Sequence, residues 1–243
     1  MLKKNIAIIG IFFLFVGALG LWRLVVRLTP PETPKDVVTI PEGWNVREIN
    51  QFLQAEGVLV DEELSQGLEG YLFPDTYEFF LDSTAEVVKE KFLNNLRMQL
   101  ETLGMSMEDK SIGKILTLAS LIQQEIKDPY EMRIVAGILN ERLEAGIPLQ
   151  IDATLCYVKE VGGKKCLPIT QADKAVDSPY NTYLYQGLPP APISNPGLDA
   201  IKAALNPANS PYLYYVSDPK TGRTVFGKTL DEHNQNVIKY LSE

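Results

Sequence analysis

The spacing of hydrophobic and polar positions changes several times along this chain, and each change predicts an element. From Ile6 to Trp22 every residue is apolar or glycine, bracketed by Lys3, Lys4 and Asn5 before it and Arg23 after it. About 20 helical residues cross a hydrocarbon core of roughly 30 Å. This run therefore spans a bilayer if it continues through Leu24 to Val26 or if the flanking cations snorkel. A cleaved signal peptide competes, but no small-x-small site with a polar start follows the run, and a retained anchor is the expectation. The next stretch, TPPETPK from Thr29 to Lys35, is a stiff extended linker. Val37 to Ile40 then reads as a strand and Pro41 to Trp44 as a turn. Asn45 with Glu48 supplies a capping pair for a short helix ending near Gly57. This β-α unit is too small to build a core alone.

The longest helical pattern runs from Ser111 to Pro148 and predicts two helices meeting at a tight corner. At about 100° per residue, Ile112, Ile115, Leu116, Leu118, Ala119, Leu121, Ile122 and Ile126 cover a little over half of the first wheel. Glu125 projects inside that arc, and so does Gln123, which should be buried or cleft-facing and in need of a hydrogen-bond partner. Asp128, Pro129 and Glu131 then offer an N-cap, a proline at the first helical position and a capping-box glutamate. The second helix carries Ile134, Val135, Ile138, Leu139, Arg142 and Leu143 and closes at Gly146. A carboxyl held where Glu125 projects is partly desolvated, which raises its pKa and keeps it protonated as a general acid near neutrality.

Ahead of this pair lies EGYLFPDTYEF from Glu69 to Phe79, read either as an aromatic turn on a core or as the wall of a sugar-binding cleft. A structural amphipathic helix capped by Ser83 or Thr84 follows, through about Leu103. After the pair, Leu149 to Thr154 alternates as a half-buried strand would, exposing Gln150, Asp152 and Thr154 on one side. Tyr180 to Gly197, YNTYLYQGLPPAPISNPG, is expected to be an ordered, proline-stiffened loop. A short helix from Leu198 to Leu205, a strand from Tyr212 to Val216, a turn from Asp218 to Gly222, a return strand and a last helix from Leu230 complete the pattern. The fold class is therefore mixed α+β.

Charge changes the picture at the N-terminus. The first 29 residues carry +4 with no acidic residue, so a total of −8 leaves −12 for the remainder, which argues against nucleic acid as a partner. One histidine, His233, and two cysteines, Cys156 and Cys166, starve most metal sites, and no metal site is expected. The cysteines flank a stretch whose Gly162-Gly163 pair suggests a hairpin turn; a disulfide and two unpaired thiols are equally compatible with the sequence.

Taken together, the apolar anchor, EGYLFPDTYEF, LASLIQQEI, LQIDATLCY, YNTYLYQGLPPAPISNPG, YLYYVSD and FGKTLDEHN resemble the YceG-like family of endolytic murein transglycosylases, over roughly Glu69 to Leu241. The resemblance implies an anchor over residues 1–28, a proline-rich linker over 29–36, a reduced LysM-like module over 37–67 and a catalytic domain over 68–243. It further implies a single-pass inner-membrane protein with a cytoplasmic N-terminus, an extracytoplasmic catalytic domain, glycan strands of peptidoglycan as substrate, penicillin-binding proteins and other wall-synthesis enzymes as partners, and no cofactor. The family's essential acid matches Glu125. The first glutamate of its pattern is Gln123 here, a histidine near the last motif is Thr224, and the LysM-like region is shortened.

Beside Glu125, the residues expected to orient sugar or stabilise positive charge at C1 are Gln150, Asp152, Tyr180, Asn181, Tyr183 and Asn195, with Glu69, Tyr77 and Gln123 as further substrate-binding candidates. Each could equally be a buried polar group satisfying backbone. Asp152, Glu69 or Asp75 could supply the second carboxyl group that a glycan hydrolase needs. A non-catalytic wall-binding scaffold is the third class, suggested by Gln123 and the short N-terminal module.

Overall fold

The computed structural model describes residues 35–163 and 166–241. The expected anchor and most of the linker lie outside these residues. Among the described residues no helix is long and apolar enough to cross a membrane.

The first elements form a small α/β layer. Strand β1, Lys35–Thr39, pairs with β2, Thr76–Phe80, in a two-stranded sheet. Between them lies helix α1, Val46–Ala55, which begins in the capping box read from the sequence: Asn45 Oδ1 accepts from Glu48 N, and Glu48 Oε2 accepts from Asn45 N at 2.8 Å. Helix α2, Ala85–Thr102, is capped by Thr84 and packs its first half on this layer. Val38, Ile40, Ile49 and Leu53 share one apolar cluster with Leu72, Tyr77, Phe79, Val88 and Phe92. The module expected at 37–67 thus buries its apolar face against residues beyond position 67.

The second cluster is helical. Helix α3, Ile112–Glu125, and helix α4, Pro129–Glu144, meet at the predicted corner, where Asp128 Oδ1 accepts from Tyr130 N and Glu131 N at 3.0 and 2.9 Å. The carboxylate of Glu131 is turned elsewhere, accepting from Thr224 Oγ1 at 2.5 Å. So the cap is the aspartate alone, and Thr224 ties the corner to the C-terminal hairpin. The second half of α2, α3, α4 and helix α7, Leu198–Leu205, bury Leu96, Leu116, Leu121, Ile122, Val135, Leu139 and Ile201 together. Gly137 on α4 permits close approach of the chain near Ala208: a Cβ there would lie 2.1 Å from the Ala208 carbonyl oxygen.

One expected strand is a helix. Residues Asp152–Val161 form α5, and the Gly162-Gly163 pair ends it instead of turning a hairpin. The alternation at Leu149 to Ile151 is real, both residues being buried, but Gln150 sits at φ 55°, and this left-handed residue redirects the chain into the helix. Residues 180–197 contain no helix or strand, as anticipated, and a short helix α6, Gln171–Lys174, precedes them. Strands β3, Tyr214–Ser217, and β4, Thr224–Gly227, pair antiparallel, with Tyr215 opposite Phe226, and helix α8, Leu230–Leu241, follows.

Candidate active site

Glu125 is the last residue of α3, half-buried, at the edge of a cleft of about 340 Å³. Four segments complete the walls: the turn bearing Gly43 with the start of α1 at Asn45 and Glu48, the face of α5 bearing Asp152, Cys156, Tyr157 and Glu160, the stretch bearing Cys166 and Leu167, and Ile193 of the proline-rich loop. Cys156 and Cys166 are joined in a disulfide at the same cleft, which resolves the two readings of the cysteines.

Burial pushes the Glu125 carboxyl up to about 7, against a hydrogen bond from Tyr215 that favours its charged form; the negative charge of Asp152 raises it further. Tyr215 Oη donates to Glu125 Oε2 at 3.1 Å. Asp152, in the first turn of α5, is itself held by Tyr183, whose hydroxyl donates to Oδ1 at 2.6 Å. The geometry thus gives one carboxyl poised to hold or release a proton near neutrality and a second kept in place as a hydrogen-bond acceptor.

Two segments deliver these partners, and Arg142 ties them together. Its buried guanidinium donates from Nη2 to the carbonyl of Pro148 at 2.6 Å and to Gln150 Oε1 at 3.3 Å, and from Nη1 to the carbonyl of Leu213 at 3.5 Å. One side leads into Asp152 and the other into Tyr215. Burial lowers the Arg142 pKa, and the nearby phenols of Tyr215, Tyr214 and Tyr183 oppose that shift. From the sequence Arg142 is legible only as a position on the helix; the signal it offers is a cation in line with Val135, Ile138 and Leu139.

The loop from 180 to 197 is stitched to the same framework. Gln150 N donates to the Thr182 carbonyl at 3.0 Å and Ile151 N to Thr182 Oγ1 at 2.9 Å, fixing the start of α5. Ser120, fully buried on α3, accepts from Ile193 N at 3.1 Å. Gln123 finds the partner its wheel position demanded, since Oε1 accepts from Gly197 N at 2.9 Å.

The remaining candidates separate by burial. Asn195 is fully buried: Oδ1 accepts from Leu72 N at 2.8 Å, and Nδ2 donates to the Trp44 carbonyl and to Glu69 Oε1. Asn181, also fully buried, donates to the carbonyls of Lys174 and Val176 and accepts from Tyr183 N. Tyr77 belongs to the first apolar cluster and donates to the Phe73 carbonyl. The polar atoms of these three side chains are engaged within the protein, and none of the three lines the Glu125 cleft. Glu69 is buried under Val46 N, and burial pushes its carboxyl up to about 8. Tyr180 packs its ring 5.1 Å from that of Tyr157.

A profile of the YceG-like family matches residues 12–239. The chain belongs to the YceG-like family. It is 37% identical over 185 residues to the endolytic murein transglycosylase of Bacillus subtilis, a match covering 75% of this chain and 50% of that protein. Against the endolytic murein transglycosylase of Streptococcus pneumoniae serotype 2 it is 32% identical over 179 residues, covering 72% of this chain and 32% of the relative. A crystal structure of a YceG-like protein from Listeria monocytogenes matches with a TM-score of 0.66 at 32% identity, over 82% of this chain and 75% of the other. The chain spans between a third and a half of the length of these curated relatives.

Proposed function

We propose that this chain is a membrane-anchored endolytic lytic transglycosylase that cuts the bond between N-acetylmuramic acid and N-acetylglucosamine within peptidoglycan strands. The observation that carries this reading is Glu125: a single carboxyl with its pKa at about 7, set at a helix end in an open cleft and touched by a tyrosine hydroxyl. Protonated Glu125 donates to the glycosidic oxygen as the bond to C1 breaks. The carboxylate so formed takes the proton of the muramic C6 hydroxyl, whose oxygen closes onto C1 as a 1,6-anhydro ring. Proton and oxygen balance without water. Asp152, held by Tyr183, faces the positive charge that develops at C1 and stabilises it.

The apolar run from Ile6 to Trp22 supports a single inner-membrane anchor with the catalytic part outside the cytoplasm. Residues 37–67 serve as a reduced LysM-like module fused to the catalytic domain, and the activity limits glycan strand length during wall synthesis, with wall-synthesis enzymes such as penicillin-binding proteins as partners. Asp152 in the same cleft also makes glycan hydrolysis the specific rival.

The test is digestion of purified glycan strands followed by mass spectrometry. Wild type should produce 1,6-anhydro ends, and Glu125→Gln should produce none while retaining its circular dichroism. Undiminished cleavage by the variant would remove Glu125 from the mechanism.

A further inference from the structure

Tyr157 belongs to two concavities. It lines the Glu125 cleft and also a second hollow of about 510 Å³, walled by Tyr71, Tyr180, Thr117 and Pro192, with Glu69 among its lining groups. The three tyrosines are half-buried, each presenting part of a ring with a polar tip. Tyr157 and Tyr180 stand 5.1 Å apart at 45°, so their faces form an angled wall. Such rings offer an apolar face to carbon-bound hydrogens and a hydroxyl to a polar rim.

The chemistry of the lining narrows the occupant. No lysine, arginine or histidine lines the hollow, so it is not built for a phosphate or another anion. Glu69 is 4% exposed and held by Val46 N and by Asn195 Nδ2 at 3.2 Å, which fixes it as a rigid polar group. The prolines at 190 and 192 stiffen the rim, and Gly70 lies so close to Pro192 that a Cβ there would come within 2.4 Å. A rigid, neutral to acidic hollow of phenols and a threonine, sharing the Tyr157 side chain with the lining of the Glu125 cleft, suits a hydroxyl-rich ring.

We propose that the Tyr71–Tyr157–Tyr180 hollow is a second sugar subsite, holding a pyranose ring of the glycan strand whose scissile bond lies at Glu125. This rests on the reading of the Glu125 cleft as a glycan site. An endolytic enzyme must grip a strand away from its ends, and a subsite beyond the cleft provides that grip.

The experiment uses the full chain carrying Glu125→Gln, so that binding is read without cleavage. Isothermal titration compares peptide-free oligosaccharides of alternating N-acetylglucosamine and N-acetylmuramic acid, four and eight sugars long. The longer one should bind more tightly, and Tyr71→Ala and Tyr180→Ala should each cut that length advantage about tenfold, the scale of losing one stacked aromatic contact. Tyr180→Phe, which keeps the ring and the packing, should retain most of it. If the shorter ligand binds but the length advantage survives both alanine variants, the subsite is wrong and the Glu125 cleft stands. If neither ligand binds, the glycan reading of both places falls.

Discussion

Replacing Tyr215 with phenylalanine removes one hydrogen bond and little else. Its hydroxyl donates to Glu125 Oε2 at 3.1 Å, and that bond favours the charged carboxylate against the burial that raises its pKa to about 7. A hydrogen bond to a charged group contributes about 1.5–3 kcal/mol, and one pKa unit corresponds to about 1.4 kcal/mol. Glu125 keeps some solvent access, which offsets part of the loss, so the shift should lie near the low end, about one unit upward. If Glu125 must begin protonated, the rate falls as pH rises through its pKa. The alkaline limb of kcat against pH should then move from about 7 in the wild type toward about 8 in Tyr215→Phe. Initial rates of strand cleavage across pH, paired with a carbon NMR titration of the Glu125 carboxyl, measure both. A limb that stays in place or moves downward in a folded variant would refute the assignment of Tyr215 as the group that holds down this pKa.

Asp152→Asn should do the reverse, because removing its negative charge takes away a contribution that raises Glu125; the alkaline limb should move downward, and the peak rate should fall as support at C1 is lost, both read from the same pH profiles. Arg142→Met removes the shared donor to Pro148, Gln150 and Leu213. The acceptors are only partly buried and can turn to water, so chemical denaturation should show a total loss of about 1–3 kcal/mol, with activity falling further than stability explains. Arg142→Lys, lacking the planar fork, should recover stability more than rate. Gly137→Ala, whose new methyl would meet the Ala208 carbonyl at 2.1 Å, should lower stability by about 1–3 kcal/mol in urea titration.

The parts of this molecule legible from sequence are those governed by local chemistry. The Asn45 capping box, the Asp128-Pro129 corner and the positions of α3 and α4 follow from side chains within a few residues of one another. Glu125 and Gln123 were placed by the helical wheel, and both turned inward. The start of α5 is not legible locally because six alternating residues satisfy a strand as well as a turn into a helix, and the decision rests on Gln150 at φ 55°, fixed by Thr182 and Arg142 from elsewhere in the chain. Tyr215 read only as a strand residue, since its meeting with Glu125 spans 90 positions. Asn181 and Asn195 carry the right residue type for sugar recognition, yet Asn181 spends its donors and acceptor on loop backbone and Asn195 on loop backbone and Glu69, a use that composition does not distinguish.

On the proposed path Glu125 recovers its proton from the C6 hydroxyl of the sugar itself, so that no water enters the product. Cleaving purified glycan strands in water enriched in heavy oxygen, with mass spectrometry of the new ends, tests it directly. The expected products are 1,6-anhydro ends carrying no heavy oxygen, formed by the wild type and lost with Glu125→Gln. Reducing ends labelled with heavy oxygen would contradict it and make Asp152 the second carboxyl of a hydrolase.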